Sequence, residues 1–447
     1  MAWDFSTEPE VQAELDWIRE FIDDEIIPLE LLLGDVTQPQ MDRIFEPLKQ
    51  RVKERGLWAA HLPPEDGGQG RGQMYLALMH EVLGRCDLGP EVFGCQAPDS
   101  GNAELIAAGA NAAQREQWLY PLMRGEMRST FALTEFDNSG SDPTGIQTRC
   151  ERDGEQWVLN GHKWYASNAS VSDFMVVMAV TDPAAPPHAR AAMVIVPRGT
   201  SGVELVRDVG TMSHPGHTDV GDLQSRIGGH TEVRFTDCRV PLENMIGEPG
   251  EGFMLAQKRL GGGRIHHAMR MIGQCNRAFE MMQERAVSRH TRGKPLASQQ
   301  LVQAMIADSY AEIEMARLFV LKAAWTMDQQ GPHSKASQKE IAATKFAVPN
   351  IMLQVIDRAI QLHGSLGYSS DMPLEQMYRT GRALRVADGA DEVHKQTVSR
   401  LVLALQEPRE GLPSEHIPSQ RAKAAARYGD AIAAAKRDVA ESVVEKS

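Results

Sequence analysis

Hydrophobic positions along the chain change their period twice. Between residues 8 and 125 apolar side chains recur at helical spacing, as at Leu15 and Ile18. Between residues 131 and 243 short apolar, β-prone runs replace that spacing, and the helical period returns from residue 251. This order of helices, strands and helices predicts an α+β multidomain protein.

Four segments follow from this pattern. We expect an N-terminal α-helical domain, a compact central β domain, a C-terminal four-helix bundle and a C-terminal helical tail. Their expected limits are 1–130, 131–243, 244–405 and 406–447. Within the β segment, Asn160-Gly161 stands between two strand-like runs. That dipeptide predicts a hairpin turn.

One of the C-terminal helices is predicted from Gln338 to His363. Pro349 lies inside this segment and should kink or break the helix, because proline lacks the amide N–H that continues the hydrogen-bond ladder. The positions expected to face inward are Phe346, Met352, Ile356 and Ile360.

Composition narrows the possible partners and location. The net charge of −13 argues against nucleic acid. The five cysteines show no CxxC spacing and read as reduced thiols of a cytosolic protein. The first residues lack the basic and apolar regions of a signal peptide, and no apolar run approaches a membrane span. We therefore expect a cytoplasmic protein with no membrane span.

Common nucleotide, hydrolase and metal motifs are missing. No GxGxxG follows a strand in a βαβ unit, and neither GxxxxGK[ST] nor GxSxG occurs. His214, His217 and His230 lie among glycines, and His266 and His267 are adjacent, but no metal-binding helix motif supports either group. We expect no metal site.

The chemistry is expected late in the chain, between residues 361 and 394. Gly364 and Gly367 can let the backbone turn sharply or approach a flat ligand. Asp388 beside Gly389 is a carboxylate on a tight turn, which can serve as a base. An ordinary helix cap formed by the same aspartate is the alternative.

Four further segments have a functional and a structural interpretation. Phe131–Asp142 could grip a polar heterocycle or form a domain linker. Lys163–Asn168 could cover a flat cofactor or pack the β core. Arg289–Lys294 could bind a pyrophosphate or be a solvated loop. Gly261–His267 contains three helix-weakening glycines, which indicate either a close backbone approach or a kink.

Taken together, residues 8–405 resemble the acyl-CoA dehydrogenase family. Leu133-Thr134-Glu135, followed by Ser141-Asp142, resembles the first family signature. Gln361–Tyr368, followed by Tyr378-Arg379, resembles the second. Each signature alone is moderately specific, but the two at this spacing around a β domain are a strong match.

The resemblance is greatest to one branch of that family. The matching segments are Gly261–His267 and Ala387–His394. That branch includes enzymes acting on long-chain, branched and 4-hydroxyacyl-CoA substrates. The resemblance implies an FAD enzyme with a central β-barrel between helical domains, assembled as a homodimer or homotetramer. It also implies an acyl-CoA substrate and an electron-transfer flavoprotein as electron acceptor.

Motif position assigns roles to individual residues. The residues expected beside the flavin are Phe131, Leu133, Thr134, Ser141, Tyr165, Ser167, Ala390 and Glu392. Those expected to reach the flavin of a neighbouring subunit are Arg289, Gln361, Gly364 and Ser365. Those expected beside the acyl-CoA are Ser141, Arg264 and Gly389.

Asp388 falls where many family members carry the catalytic glutamate. Some relatives instead place a glutamate just before the arginine that matches Arg264, but that position here is Gly263. The resemblance therefore implies that Asp388 removes the α-proton while a hydride leaves Cβ for flavin N5. Burial beneath the acyl chain and flavin should raise the pKa of Asp388.

Departures from the family pattern keep other functions open. Phe136 replaces a common proline, Arg292 replaces a common phenylalanine, and an aspartate replaces the usual base. The aspartate is also found in nitroalkane oxidase, so a same-fold oxidase that reduces oxygen is one alternative. A non-catalytic binding or scaffold protein is the other.

Overall fold

The computed structural model describes residues 5–32, 36–212 and 229–444. A helical layer comes first in the chain. Its helices are α1 (Pro9–Phe21), α2 (Gln38–Glu54), α3 (Gly72–Leu83), α4 (Gly89–Val92), α5 (Asp99–Gly109), α6 (Ala112–Gln114) and α7 (Tyr120–Met123). The side chains of Ile18, Phe45 and Phe93 are fully buried in the core between these helices.

A mixed sheet follows. Its strands are β1 (Ser129–Ala132), β2 (Arg149–Asp153), β3 (Gln156–Ser167), β4 (Phe174–Val180), β5 (Ala191–Pro197), β6 (Val203–Asp208), β7 (His230–Pro241) and β8 (Met245–Ile246). The ladder order is β6-β7-β3-β2-β4-β5-β8, with β1 pairing parallel to β4. β4 is buried along its whole length, as expected for a strand covered on both faces.

The hairpin turn predicted at Asn160-Gly161 is wrong. Both residues lie inside β3, and the chain instead reverses between Asp153 and Gln156. The ladder between β3 and β7 shifts register at Leu159 and Gly161, as at a β-bulge. A Cβ on Gly161 would lie 2.3 Å from Thr148 Oγ1, so the glycine serves close packing inside the strand.

Long helices form the third layer. The C-terminal elements are α8 (Gly252–Ser288), β9 (His290–Thr291), β10 (Lys294–Pro295), α9 (Gln300–Gln330), α10 (Lys335–His363), α11 (Ser365–Tyr368), α12 (Leu374–Ala383), α13 (Asp391–Leu403) and α14 (Ile417–Val444). The predicted fold class of helices, sheet and helices is thus confirmed.

The expected break at Pro349 does not occur, since α10 continues through it. The inward face of α10 also differs from the predicted one. Phe346 is only half-buried, whereas its neighbour Lys345 is fully buried. An apolar-period analysis excludes lysine from the core, because an isolated ammonium is costly to bury.

Glycines bring α3 and α8 into close contact. A Cβ on Gly273 would lie 2.1 Å from Glu81 O, and one on Gly84 would lie 2.3 Å from Arg270 Cα. Because neither helix can tolerate a side chain there, the backbones touch. This contact fixes the depth of α8 against the N-terminal helices.

The chain consists of two compact units, Met1–Ser399 and Arg400–Ser447. The second unit contains α14, whose described side chains are largely exposed. None of the helices in the described ranges combines the length and apolar character that a bilayer crossing demands. All five cysteines are buried free thiols.

We expect Gly273→Ala to lower the free energy of unfolding by about 1–3 kcal/mol, because the added methyl group overpacks a backbone contact. The matched control is Gly263→Ala on the same helix, where a Cβ would meet nothing within 4 Å. Alanine there should leave the thermal midpoint equal or slightly higher. Equal midpoints for the two variants, measured by differential scanning fluorimetry, would contradict the contact.

Candidate active site

The turn between α12 and α13 carries Asp388 in a left-handed conformation. Its φ is +53°, and that of Gly389 is +101°. A hydrogen bond from Asp391 N to Arg385 O, 3.1 Å long, closes the turn. A Cβ on Gly389 would lie 2.8 Å from His394 Nε2, so glycine is required there for both space and backbone angle.

Cationic side chains surround the Asp388 carboxylate. Asp388 Oδ2 lies 3.5 Å from His267 Nε2, and Arg264 Nε donates to the Asp388 carbonyl oxygen at 3.3 Å. The contact of the carboxylate with α8 favours the base interpretation over a helix cap. The groups that act on the charge of Asp388 are His267, Arg259, Arg264 and Lys345.

The increase in the pKa of Asp388 that is expected beneath an acyl chain and flavin stays a prediction. Burial does act in that direction, but the four neighbouring groups outweigh it and lower the pKa of Asp388 below its usual value. The side chain is still 31% exposed. The carboxylate is therefore ionised at neutral pH and lies within reach of solvent.

His267 is uncharged beside this carboxylate. Burial, reinforced by Arg270, Lys345 and Arg259, lowers the pKa of His267 to about 4 even though Asp388 acts to raise it. The 3.5 Å contact is therefore a polar contact of a neutral imidazole and not an ion pair. The remaining positive charge comes from Arg259, Arg264 and Lys345.

A cavity opens at Asp388. Its walls are formed by Ala97, Ser100, Gly101, Arg259, Gly263, Arg264, His266, His267, Arg270 and Asp388. Gly263 leaves open space beside the helix backbone. Among the described residues, the Nε2 atom of buried His266 has no hydrogen-bond partner, and its ring stacks on His80 at 4.3 Å between centroids. The lining of the cavity is thus rich in polar side chains.

The glycines of Gly261–His267 produce no break in α8, which is continuous from Gly252 to Ser288. The open space at Gly263 agrees with the interpretation that a ligand can approach the backbone there. Within the ranges that the structure covers, no group of three or more His, Cys, Asp or Glu side chains is placed to hold a metal ion. His214 and His217 lie outside the described residues.

The β domain brings the other site residues together. Trp164 N donates to Thr134 O at 3.1 Å, which aligns the Leu133–Thr134 segment beside Tyr165. Tyr165 has a φ of +51° and is 41% exposed, so it does not pack the β core. Ser167 Oγ lies 2.9 Å from His230 Nδ1.

This arrangement suits a flat polar cofactor. The hydroxyl of Ser167 and the exposed ring of Tyr165 stand two residues apart at the end of β3, and Thr134 is bonded to the same strand through Trp164. The donor set therefore fits the flavin that the sequence predicts.

A buried ion pair supports the Leu133–Glu135 segment. Lys163 Nζ donates to Leu133 O at 2.8 Å and to Glu135 Oε1 at 2.9 Å, and the lysine is fully buried. Glu135 also accepts from the backbone N–H groups of Gln147 and Thr148. Burial lowers the pKa of Lys163 to about 8.

Arg259 connects the two halves of the site. Its guanidinium lies 4.0 Å from the centroid of the Phe131 ring, and its Nε donates to Asn102 Oδ1 at 3.0 Å. The same arginine acts on the charge of Asp388. Arg259 therefore contacts Phe131 and also lines the cavity at Asp388.

Other predicted site residues lie apart from this centre. Arg289 directly follows the last residue of α8. It lies 25 residues beyond Arg264, which is roughly 38 Å along the helix axis at ~1.5 Å per residue. Gln361, Gly364 and Ser365 are exposed at the junction of α10 and α11. Ser141 is exposed, and its hydroxyl is hydrogen-bonded to the hydroxyl of Ser139. Ala390 and Glu392 follow Asp388 and Gly389 in the chain.

A second cavity, ≈ 420 Å³, lies elsewhere, between α2 and the start of β1. Its charged side chains largely neutralise one another, as where Arg128 pairs with Asp42 and Glu91 at 2.6 and 2.5 Å. It contains none of the residues that the sequence singled out. The cavity at Asp388 is therefore the candidate active site.

Sequence reasoning missed three groups at the base turn. They are Arg259, Lys345 and His394, whose Nε2 lies 3.2 Å from the Asp388 carbonyl oxygen. A signal for Lys345 existed, because Ile341, Val348 and Met352 share its helix face and are apolar. No sequence pattern pointed to Arg259, whereas His394 ends the Ala387–His394 motif but was given no role.

Comparison with known proteins finds similar domains along most of the chain. The N-terminal, middle and C-terminal domain models of acyl-CoA dehydrogenase match residues 8–126, 130–225 and 250–403. Mouse acyl-CoA dehydrogenase family member 10 is 41% identical over 90% of this chain but only 38% of its own length. FadE2 of Mycobacterium tuberculosis, described as a candidate acyl-CoA dehydrogenase, is 42% identical over 81% of this chain and 86% of its own.

Solved structures show the same fold. A Mycobacterium abscessus structure described as a candidate acyl-CoA dehydrogenase has a TM-score of 0.82 and 37% identity, covering 90% of this chain and all of its own. Butyryl-CoA dehydrogenase from Megasphaera elsdenii has a TM-score of 0.76 and 26% identity, with the same coverage. The chain spans less than half the length of the family member 10 and rodent family member 11 relatives.

We expect Lys163→Met to lower the free energy of unfolding by about 3–5 kcal/mol at pH 7, because Glu135 is left as a buried unpaired charge. Burial alone would raise the pKa of Glu135, but Lys163 and Thr148 hold it below the usual 4.5. The ionised Glu135 carboxylate therefore stabilises the folded protein above about pH 4.5, and this stabilisation is lost as the pH falls below that value. The difference between the variant and the parent should shrink on acidification.

The matched control is Arg239→Met, which breaks the exposed ion pair with Asp153 on the same sheet. That change should cost less than ~1 kcal/mol. Thermal midpoints of the three proteins between pH 4 and 8 provide the measurement. Equal midpoints for the two variants would show that the buried pair does not support this segment.

Proposed function

The chain belongs to the acyl-CoA dehydrogenase family, and we propose that it oxidises a fatty acyl-CoA thioester to the trans-2-enoyl-CoA with Asp388 as the α-proton base. The observation that carries this proposal is the Asp388 carboxylate. It is ionised, within reach of solvent and opposite α8 at the mouth of a cavity.

Family membership makes the chain an FAD-dependent flavoprotein. We propose that Phe131, Leu133, Thr134, Tyr165 and Ser167 hold the isoalloxazine ring, with Ser141, Ala390 and Glu392 beside it. The exposed tyrosine ring and the nearby hydroxyl support this assignment. When bound, the flavin supplies the acceptor for the hydride that leaves Cβ.

Asp388 has the charge state that a base needs. A carboxylate must be ionised before it can accept a proton, and the neighbouring cations keep Asp388 ionised. A thioester that enters the cavity displaces water from this carboxylate, and burial raises the pKa of a carboxyl group. Arg259 and Arg264 place positive charge near the site where the enolate charge develops.

The polar wall of the cavity favours an acyl group that carries a hydrogen-bonding substituent. A plain alkyl chain there would lie against the polar side chains of Ser100, His266 and His267 without bonding to them. A hydroxyl on the acyl chain could form a hydrogen bond with one of these groups. We therefore propose hydroxyacyl-CoA thioesters as preferred over unsubstituted ones of the same length.

Arg289 and the Gln361–Ser365 segment are proposed to contact the flavin of a second copy. Arg289 lies roughly 38 Å along α8 from Arg264. Gly364 lies 19 residues, or roughly 28 Å, beyond Lys345 on α10. Both distances support a role at a neighbouring subunit's site, within a homodimer or homotetramer. Gly389 and Ser141 are proposed to contact the acyl-CoA.

Electron-transfer flavoprotein is the proposed acceptor of the electrons, and family membership supports it. A same-fold oxidase would instead reduce oxygen and form peroxide without an added acceptor. A scaffold protein would be colourless and take up no flavin. The five reduced thiols support a cytoplasmic location for the reaction.

We expect Asp388→Asn to retain flavin but to slow flavin bleaching by acyl-CoA about 10²–10⁴-fold, because the amide cannot accept the α-proton. The measurement is anaerobic absorbance at the flavin band after mixing with octanoyl-CoA, 4-hydroxyoctanoyl-CoA or palmitoyl-CoA. The parent should bleach fastest with the hydroxylated thioester.

The matched control for this test is Asp371→Asn, an exposed aspartate that should leave the rate unchanged. Bleaching of Asp388→Asn at the parent rate would exclude Asp388 as the base. A yellow parent protein that no thioester bleaches would count against the whole proposal.

We expect Arg289→Ala to lose bound flavin during gel filtration, because a guanidinium that pairs with pyrophosphate is removed. Arg43→Ala, which changes an exposed arginine on α2, is the control and should retain the parent flavin content. The ratio of flavin to protein absorbance gives the result. Equal occupancy of all three proteins would exclude a role for Arg289 in flavin binding.

A further inference from the structure

Lys345 is fully buried in an otherwise apolar face of α10. The residues on the same face, Ile341, Val348 and Met352, belong to the core of the C-terminal helices. Burying an ammonium group is unfavourable, and methionine would fill a similar space without that cost. The position therefore needs the hydrogen-bonding or charge properties of lysine.

The ammonium group of Lys345 contacts the turn that carries the proposed base. Lys345 Nζ donates to Leu384 O at 2.7 Å and lies 3.5 Å from Gly389 O. Leu384 is the C-cap of α12, where backbone carbonyls lack partners inside the helix and carry its negative dipole end. One cation therefore connects the beginning of the turn with its end.

The turn needs such a restraint because the backbone conformation of Asp388 is energetically unfavourable. A non-glycine residue at positive φ is disfavoured by contact of its Cβ with the neighbouring peptide, and Asp388 has a φ of +53°. Arg264 and His394 both point nitrogens at Asp388 O, 3.3 and 3.2 Å away. Lys345 differs from these two groups, because it reaches the residues on either side of Asp388.

We propose that Lys345 is a positioning residue that holds Asp388 in the conformation needed for removal of the α-proton. This inference rests on the function proposed above for Asp388. Lys345 acts through the backbone of the turn, and its charge also favours the ionised form of the Asp388 carboxylate. It touches neither the carboxylate nor the cavity.

Other charged or titratable groups also face Asp388. They are Arg259, Arg264 and His267 on α8, and His394 on α13. Removal of Lys345 leaves these groups in place, so Asp388 should remain a carboxylate at neutral pH. Its pKa should nevertheless rise, because one of the cations that lower it is gone.

The test uses Lys345→Met in the flavin-loaded protein. Lys339→Met is the matched control, since Lys339 lies on the same helix but is 33% exposed. Hydrogen exchange followed by mass spectrometry reports on residues 384–391 independently of activity. Anaerobic bleaching by the acyl-CoA that reduces the parent fastest, measured between pH 5 and 9, reports on the base.

The proposal expects Lys345→Met to retain the parent flavin content and to exchange faster in residues 384–391 than elsewhere. Bleaching should be at least tenfold slower at saturating thioester, with little change in the half-saturating concentration. The acidic limb of the rate profile should move to higher pH. Lys339→Met should match the parent in every measurement.

Three results would overturn the proposal. They are parent-like exchange in the turn, a parent-like bleaching rate, or a general increase in exchange along α10 together with flavin loss, which indicates a purely structural lysine. If the methionine variant does not fold, Lys345→Gln, with a neutral donor, is measured with the same expectations. A parent that no acyl-CoA bleaches would refute the proposed function, while exchange would still show whether Lys345 holds the turn.

Discussion

The balance of charge around the Asp388 turn is the constraint on which this structure depends. Arg259, Arg264 and Lys345 project from two core helices toward one place, and cations there are costly unless paired or hydrogen-bonded. The Asp388 carboxylate and the free carbonyls of the turn compensate for that cost. The turn and the helices behind it therefore stabilise one another.

Backbone contact between helices places this charge cluster. Gly273 and Gly84 allow α8 to touch α3, and that contact sets where Arg264 and His267 emerge one to three turns earlier on α8. A different depth of α8 would separate His267 from Asp388. Precise charge placement here thus follows from glycines that have no chemistry of their own.

In the β domain, a buried ion pair likewise holds a segment of the candidate site in place. Lys163 and Glu135 form a buried pair that fixes the segment beside Tyr165 and Ser167. Arg259 then joins this support to the base turn by stacking on Phe131. The site is built from two rigid polar supports, as suits a site that must hold a cofactor and a substrate in fixed register.

The sequence by itself determined the order of helices and strands, the family resemblance and the position of Asp388, because periodicity and motifs are local properties. It did not determine that Asn160-Gly161 lies within a strand, that α10 passes through Pro349, or that Lys345 faces inward. It also did not determine which four groups act on Asp388 to lower its pKa. Those features depend on neighbours distant in the chain, whose packing and charge only the tertiary structure brings together.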